Sequence, residues 1–271
     1  MSYWFTGKLY ENEKLSISPS HPALAYGASV FTTLRIYEKD LDHPLTAWEM
    51  HCDRISQSLE EFSWLQPNWQ NIKTGCQILS AQYPVLRLTI FAAGNELITG
   101  RSLPSNLTQQ QIEGVTVWVA QEPRYQRSLA NHKTSNYLPC WLAMQTAKTQ
   151  GARDAILIND TEEWLETSTG NLWGYQADRW WTPPHASGLL PGIARARLLE
   201  TLGSNAITNK RWTLNVVKKF ECLAYSNCVV GIMPIHTVLL GNIKLNYSST
   251  HEGLSSLRHM FDRPSMREHN C

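Results

Sequence analysis

An α+β fold in two domains is what this sequence predicts, and three observations predict it. Short β-prone runs such as Val85-Leu86-Arg87-Leu88-Thr89-Ile90-Phe91 and Val115 to Ala120 alternate with stretches of helical spacing such as Trp48 to Phe62. The two kinds of element are mixed without a regular βαβ rhythm, which argues against a doubly wound parallel sheet. A polar, irregular segment, 121–132, interrupts the pattern near the middle of 271 residues, a length that suits one large or two medium cores. The expected division is a small α+β domain over 1–120, a connection over 121–132, and a larger domain over 133–271.

Taken in order, residues 3–17 read as a hairpin turning at Thr6-Gly7-Lys8, and 18–22 as a loop. Residues 26–37 follow, their latter half alternating like a half-buried strand, with a turn near Lys39-Asp40. In 48–62 the spacing of Met50, Ile55, Leu59 and Phe62 predicts a helix that also carries Arg54. Residues 70–82 predict a second helix, and the polar stretch 99–113 reads as a loop. Beyond Lys133, residues 137–150 have helical composition and stop before Gly151. Strands are expected at 155–159, 164–166, 172–175 and 179–182. A helix opens at Pro191-Gly192 and runs to about Leu202, and further strands run from Cys222 to Ile235. The last residues, 247–271, suggest a short helix with a frayed tail.

Composition excludes several classes of function. A formal net charge of +1 gives no electrostatic case for binding nucleic acid or a membrane surface. No run of about 18 apolar residues offers a membrane span. The six cysteines contain no Cys-x-x-Cys pair, so no zinc site is expected, and no other metal site is read from the sequence. The N-terminus lacks the basic start and long apolar region of a signal peptide, so a cytoplasmic protein with reduced thiols is expected. Eleven tryptophans are scattered along the chain, and packing in cores and interfaces accounts best for most of them.

Three separated segments carry chemistry: Asn-His-Lys-Thr-Ser-Asn-Tyr-Leu-Pro (131–139), Trp-Leu-Glu-Thr-Ser-Thr-Gly-Asn-Leu-Trp (164–173) and Leu-Leu-Pro-Gly-Ile-Ala-Arg (189–195). Lys133 is an amine able to form a Schiff base with an aldehyde. Glu166 is a carboxylate able to pair with a protonated ring nitrogen. Gly192 and Ile193 begin a helix, whose first N–H groups lack partners within the helix and suit a phosphate. Singly, Lys133 reads as a solvated surface charge and Glu166 as a surface glutamate on an exposed strand. Together the three segments specify a phosphorylated aldehyde cofactor.

In this order and spacing the segments resemble the class IV pyridoxal phosphate enzymes, which include branched-chain and D-amino acid aminotransferases and 4-amino-4-deoxychorismate lyase. The resemblance covers roughly residues 20 to 240. It implies the two-domain fold-type IV architecture, like that of D-amino acid aminotransferase, with a pseudo-barrel in the larger domain. It also implies pyridoxal 5'-phosphate as cofactor and a homodimer.

Carried over residue by residue, the resemblance makes Lys133 the Schiff-base lysine and proton carrier, and Tyr137 the tyrosine facing the cofactor's phenolic oxygen. Glu166 becomes the partner of the pyridine nitrogen, with Ser168 and Thr169 beside the cofactor. Arg54, in His-Cys-Asp-Arg-Ile, and the backbone of Gly192, Ile193 and Ala194 would hold the phosphate. Asn227 and Cys228 fall at the last phosphate contact, and Leu190 packs on a ring face. The family's usual Gly-Ile-Thr-Arg is here Gly-Ile-Ala-Arg, so Ala194 lacks one phosphate-binding hydroxyl.

Two places speak to the reaction. Phe31-Thr32-Thr33 and the run from Ser226-Asn227-Cys228 to Met233-Pro234 resemble the lyases, with Thr33 facing the substrate and acting in catalysis. Tyr26-Gly27-Ala28-Ser29-Val30-Phe31 resembles the branched-chain enzymes, with Tyr26 at the substrate side. The expected function is the lyase, giving 4-aminobenzoate and pyruvate for folate synthesis. An aminotransferase acting on branched-chain or D-amino acids is the alternative. Arg35 or Arg87 could hold a substrate carboxylate in either case, and both could equally be strand-edge charges facing solvent. A non-catalytic relative is a third reading, against which Lys133, Glu166 and Arg54 stand together.

Overall fold

Backbone hydrogen bonds pair the strands into sheets, and in the computed structural model, which describes residues 2–262, they do so in two units. One unit comprises the chain up to Pro104 together with His132–Asn136. The other comprises Ser105–Asn131 and the chain from Tyr137 onward. The expected boundary at residue 120 therefore divides the chain differently: the strand Val115–Ala120 pairs with strands of the second unit.

The first unit contains strands β1 (Tyr3–Phe5), β2 (Lys8–Tyr10), β3 (Ser29–Arg35), β4 (Val85–Phe91) and β5 (Glu96–Arg101), and helices α1 (Pro22–Tyr26), α2 (Trp48–Glu61) and α3 (Trp69–Ser80). The strands form an antiparallel sheet in the order β2-β1-β5-β4-β3. One core unites Val30, Leu34 and Ile36 with Leu86 and Leu88, with Ile55 and Leu59 of α2, and with Ile72, Cys76 and Leu79 of α3. Gly75 lets α3 approach the sheet closely, since a Cβ there would fall 2.5 Å from the Trp4 ring.

Residues 99–113, expected as a loop, instead hold the end of β5 and a helix, α4 (Leu107–Glu113). Strand β5 is fixed by pairing on both sides, Thr99 opposite Tyr3 and opposite Arg87. Its short alternation is hidden by Glu96 and Arg101. Glu96 is nonetheless buried, accepting bonds from Trp4 Nε1 (3.0 Å) and the Gly7 N–H (2.6 Å). Helix α4 buries only Leu107, so it shows no apolar stripe.

The second unit holds strands β6 (Val115–Ala120), β7 (Asp154–Ile158), β8 (Trp164–Thr167), β9 (Asn171–Gln176), β10 (Arg179–Trp181), β11 (Ala206–Ile207), β12 (Cys222–Asn227), β13 (Gly231–Leu240) and β14 (Ile243–Asn246). The order β9-β12-β13-β6-β7-β8 closes on itself where β8 meets β9 again, Glu166 opposite Asn171. The result is a barrel, with β10 and β11 extending from β9 and β14 from β13. Closure leaves no free edge in the ring.

Helix α5 (Leu138–Thr149) covers β6 and β7 through Cys140, Ala143 and Ala147, small residues that permit close packing. On the other side of the ring, α6 (Ile193–Leu202) and α8 (Gly253–Asp262) pack with Trp173, Trp180, Cys222 and Ala224. A short helix, α7 (Leu214–Val217), precedes β12. The tail expected after α8 lies outside the described residues. Among those described, no helix is long and apolar enough to cross a membrane.

Candidate active site

The segment carrying Lys133 runs along β3. The Phe31 N–H donates to the Lys133 carbonyl at 2.8 Å, Val30 bridges Thr134, and the Ser135 N–H donates to the Ser29 carbonyl at 2.8 Å. A further bond joins the Ser29 and Ser135 hydroxyls at 2.7 Å. These bonds fix the lysine backbone and carry its amine over the Phe31 ring, 4.7 Å from the centroid. The Arg87 guanidinium also stacks on that ring, at 3.5 Å.

Phe31, Thr33 and Arg35 alternate along β3, so they share one face, and Thr33 lies opposite Arg87 in register. Thr33 and Arg35 are half-buried, and the Arg35 guanidinium lies 4.8 Å from the Tyr37 ring centroid. Thr32 points the other way, toward α2. Its hydroxyl receives Arg54 Nη2 at 2.7 Å and bonds His51 Nδ1 in a fully buried pair. His132, next to the lysine, meets Ser58 Oγ at 3.0 Å and stacks against Phe62. Arg54, Ser58 and Phe62 follow one another at four-residue spacing on α2, so the lysine segment and Arg54 share one helix stripe. Tyr26 ends α1, 82% exposed, away from these contacts.

The second unit gathers the other residues into one hydrogen-bonded cluster. Glu166 is buried on β8 and pairs with Arg127 at 2.6 Å, both side chains under a tenth exposed. Burial, the largest single influence, works against the charge of Arg127, but Glu166 together with Cys140 and Tyr137 outweighs it and the pKa ends above the ordinary value. The Leu190 N–H reaches the same carboxylate at 3.3 Å to Oε2 and 3.4 Å to Oε1. Asn171 donates through Nδ2 to the Leu190 carbonyl at 3.0 Å and to Glu166 Oε2 at 3.4 Å.

Tyr137 donates its hydroxyl proton to the Ser168 carbonyl at 2.7 Å, with the Arg127 guanidinium 5.8 Å from its ring centroid. Burial holds the phenol pKa well above its usual value, so Tyr137 keeps its proton at neutral pH. Asn227 ends β12. Its Nδ2 donates to the Thr169 carbonyl at 3.2 Å, and its Oδ1 accepts the Val229 and Val230 N–H groups, each at 2.9 Å. Cys228 follows, half-buried.

Gly192 caps α6, and a Cβ there would lie 1.9 Å from Asn171 Oδ1, so no side chain fits without displacing that amide. Ile193 and Ala194 supply the first N–H groups of the helix, which lack intrahelical partners and so suit an anion. Arg195, next in line, is buried and donates to the Pro183 carbonyl at 3.0 Å and to Thr182 Oγ1 at 3.2 Å. The donor set of a helix start, together with a buried carboxylate balanced by an arginine, fits a phosphorylated, nitrogen-containing ring.

Residues 29–238 match the amino-transferase class IV family. The chain belongs to that family. Among curated proteins, this class IV chain is 22% identical over 241 residues to an aminodeoxychorismate lyase of Vibrio harveyi, covering 82% of this chain and 87% of the relative. Among solved structures it is similar to a branched-chain amino acid aminotransferase of Escherichia coli (TM-score 0.81, 17% identity, 96% of this chain and 93% of that one). A hypothetical aminotransferase of Mycobacterium tuberculosis in PLP-bound form is similar to the same degree (TM-score 0.80, 16% identity, 97% and 100%). At such identities these likenesses establish the fold, which is the fold-type IV architecture.

Two members of the cluster are absent from the sequence reading. Arg127 sits inside the segment read as a mere connection, and nothing local distinguishes it from a surface arginine. Asp154, whose carboxylate receives the Ser168 and Thr169 hydroxyls, precedes the apolar run 155–158, and an acid at the head of a fully buried strand was the available signal.

Proposed function

We propose that this class IV chain is a pyridoxal phosphate-dependent enzyme acting on a primary amine, and that amino transfer from an amino acid is its leading reaction. The observation that carries the cofactor is the buried pair of Glu166 and Arg127. A carboxylate balanced by an always-charged guanidinium keeps its own charge in a buried place, and such a carboxylate holds a proton on a pyridine nitrogen. The PLP-bound likeness supports the same reading.

Pyridoxal phosphate, when bound, supplies an aldehyde for an amine and a ring that accepts electrons. The chain's residues do the rest. Lys133 would hold the cofactor through its amine and would carry the proton at the substrate carbon. Tyr137, neutral and giving its proton to the Ser168 carbonyl, would face the ring oxygen, and Leu190 would cover a ring face. By the resemblance, the phosphate would be held by Arg54, by the N–H groups of Ile193 and Ala194, and by Asn227 with Cys228. Thr33, Arg35 and Arg87 stand with Phe31 on the same sheet face as the lysine amine, and arginines there suit a substrate carboxylate. Pairing of two subunits is part of this reading. Leu138 (59% exposed) and Trp141 (51% exposed) on α5 are side chains that a second copy would cover.

A second reading is 4-amino-4-deoxychorismate lyase. The Vibrio harveyi relative favours it, as does the Thr32-Thr33 pair, whose second hydroxyl would meet the substrate. One assay separates the two. The protein, supplied with pyridoxal phosphate, is incubated with aminodeoxychorismate and with branched-chain and D-amino acids plus a keto acid. Keto-acid product from an amino acid supports amino transfer, and pyruvate from aminodeoxychorismate replaces it with the lyase. No product from any of them contradicts both.

A further inference from the structure

Asp154 opens β7 with 1% exposure, and a carboxylate so far from water needs compensation. It receives four neutral donors. On Oδ1 are the Ala155 N–H at 2.7 Å and the Ser168 hydroxyl. On Oδ2 are the Thr169 hydroxyl and, at 3.2 Å, the Thr167 hydroxyl, whose one proton is shared with the Gly170 carbonyl at the same distance. Burial pushes the Asp154 pKa up, and the Ser168 and Thr169 hydroxyls pull against that. Three donors, with the Thr167 hydroxyl shared as a fourth, suit an ionised carboxylate, whereas a protonated one would set its own O–H against them.

The loop above this carboxylate joins β8 to β9. Thr167 Oγ1 accepts the Gly170 N–H at 3.0 Å, and the Ser168 N–H donates to the Ala155 carbonyl at 2.8 Å. On its other side, the same loop offers the Ser168 carbonyl to Tyr137 and the Thr169 carbonyl to Asn227. Glu166 enters the loop and Asn171 leaves it.

We infer that Asp154 is a positioning residue of the cofactor site. Its carboxylate takes the hydroxyl protons of Ser168 and Thr169 and so sets the loop on which Glu166, Tyr137 and Asn227 are aligned. Each hydroxyl has a single proton, and both are committed to Asp154. A phosphate dianion needs donors, so its donors are backbone N–H groups and arginine, and Ser168 and Thr169 serve as supports of the loop. This assignment rests on the reading that Tyr137 and Glu166 face the cofactor, and it is independent of the substrate.

The test uses the full chain and pyridoxal phosphate itself. Affinity is measured by titrating the cofactor-free protein, and the visible band of the bound cofactor is followed against pH. Asp154→Asn is expected to weaken binding about tenfold or more and to displace the midpoint of the pH titration, while melting stays cooperative. In the double variant Asp154→Asn with Ser168→Ala, little further loss is expected, because the hydroxyl acts through Asp154. Losses that multiply would overturn the assignment, as would an unmoved midpoint in Asp154→Asn. Should Asp154→Asn fail to fold, the pH midpoint of the cofactor bound to Ser168→Ala and to Thr169→Val decides. A midpoint displaced in both supports the inference, and one unmoved in either overturns it. Tyr137→Phe serves as control: if it leaves the pH midpoint unmoved, the fault lies in the placement of Tyr137 at the cofactor and not in Asp154.

Discussion

The guanidinium of Arg127 lies 2.6 Å from the carboxylate of Glu166, with side-chain exposures of 8% and 7%. Removing one partner of such a pair strands a buried charge, at about 3–5 kcal/mol, whereas replacing both with apolar residues is often close to neutral. Arg127→Met is therefore expected to lower unfolding stability by that amount. The double variant Arg127→Met with Glu166→Leu should recover most of it and still lack the ring partner. Urea unfolding of the single and double variants checks this.

Glu166→Gln keeps the shape and removes the charge. Turnover should fall by about a hundredfold, because the ring nitrogen loses its ionic partner as charge develops. The cofactor should remain bound, held by its phosphate contacts. Steady-state kinetics at saturating cofactor, beside a binding titration, checks both parts.

The helix start gives a pair of opposed outcomes. Gly192→Ala would place a methyl group 1.9 Å from Asn171 Oδ1 and so push that amide off Leu190 and Glu166, weakening the cofactor. Ala194→Ser adds the hydroxyl that the resemblance finds missing. One added hydrogen bond is worth about 1 kcal/mol, so affinity should rise by about fivefold. Titration of both cofactor-free variants checks the directions.

Tyr137 makes a prediction about pH. Its folded-state pKa is raised by burial, so its contribution to stability is fully present below the ordinary phenol value near 10 and is lost as pH climbs through the raised value. Unfolding stability of the wild type should fall more steeply above about pH 10 than that of Tyr137→Phe. Parallel curves would contradict the raised value.

Much of this was legible in the sequence because it is local. Trp48 to Phe62 shows its helical stripe directly, and the helix found spans Trp48–Glu61. The segments around Lys133, Glu166 and Gly192 each hold contiguous residues of unusual type, and the structure joins Tyr137 to Ser168 and Leu190 to Glu166 by hydrogen bonds. Arg127 was not legible, since its partner lies 39 positions away and its own surroundings are polar. Strand β5 was missed for a similar reason: its pairing with β1 and β4 is tertiary, and its charged ends mask the alternation. The closure of β8 onto β9 at Glu166 and Asn171 is likewise set by the whole ring.

Thr33 separates the two reactions. A hydroxyl that holds the lyase substrate or its developing charge contributes about 1–3 kcal/mol, roughly tenfold to a hundredfold in rate. Thr33→Gly should then cut lyase turnover by at least about tenfold and leave the cofactor band intact. Full lyase activity in the variant, or a wild type that transaminates leucine and lacks lyase activity, removes the lyase reading.

The central claim is that Lys133 carries the cofactor, and reductive trapping tests it most directly. The wild-type protein is loaded with pyridoxal phosphate, reduced with borohydride, digested, and analysed by mass spectrometry. The account predicts a phosphopyridoxyl group on the peptide bearing Lys133, and its loss together with the visible band in Lys133→Ala. A label on another lysine, or none in a protein that has bound the cofactor, would contradict it.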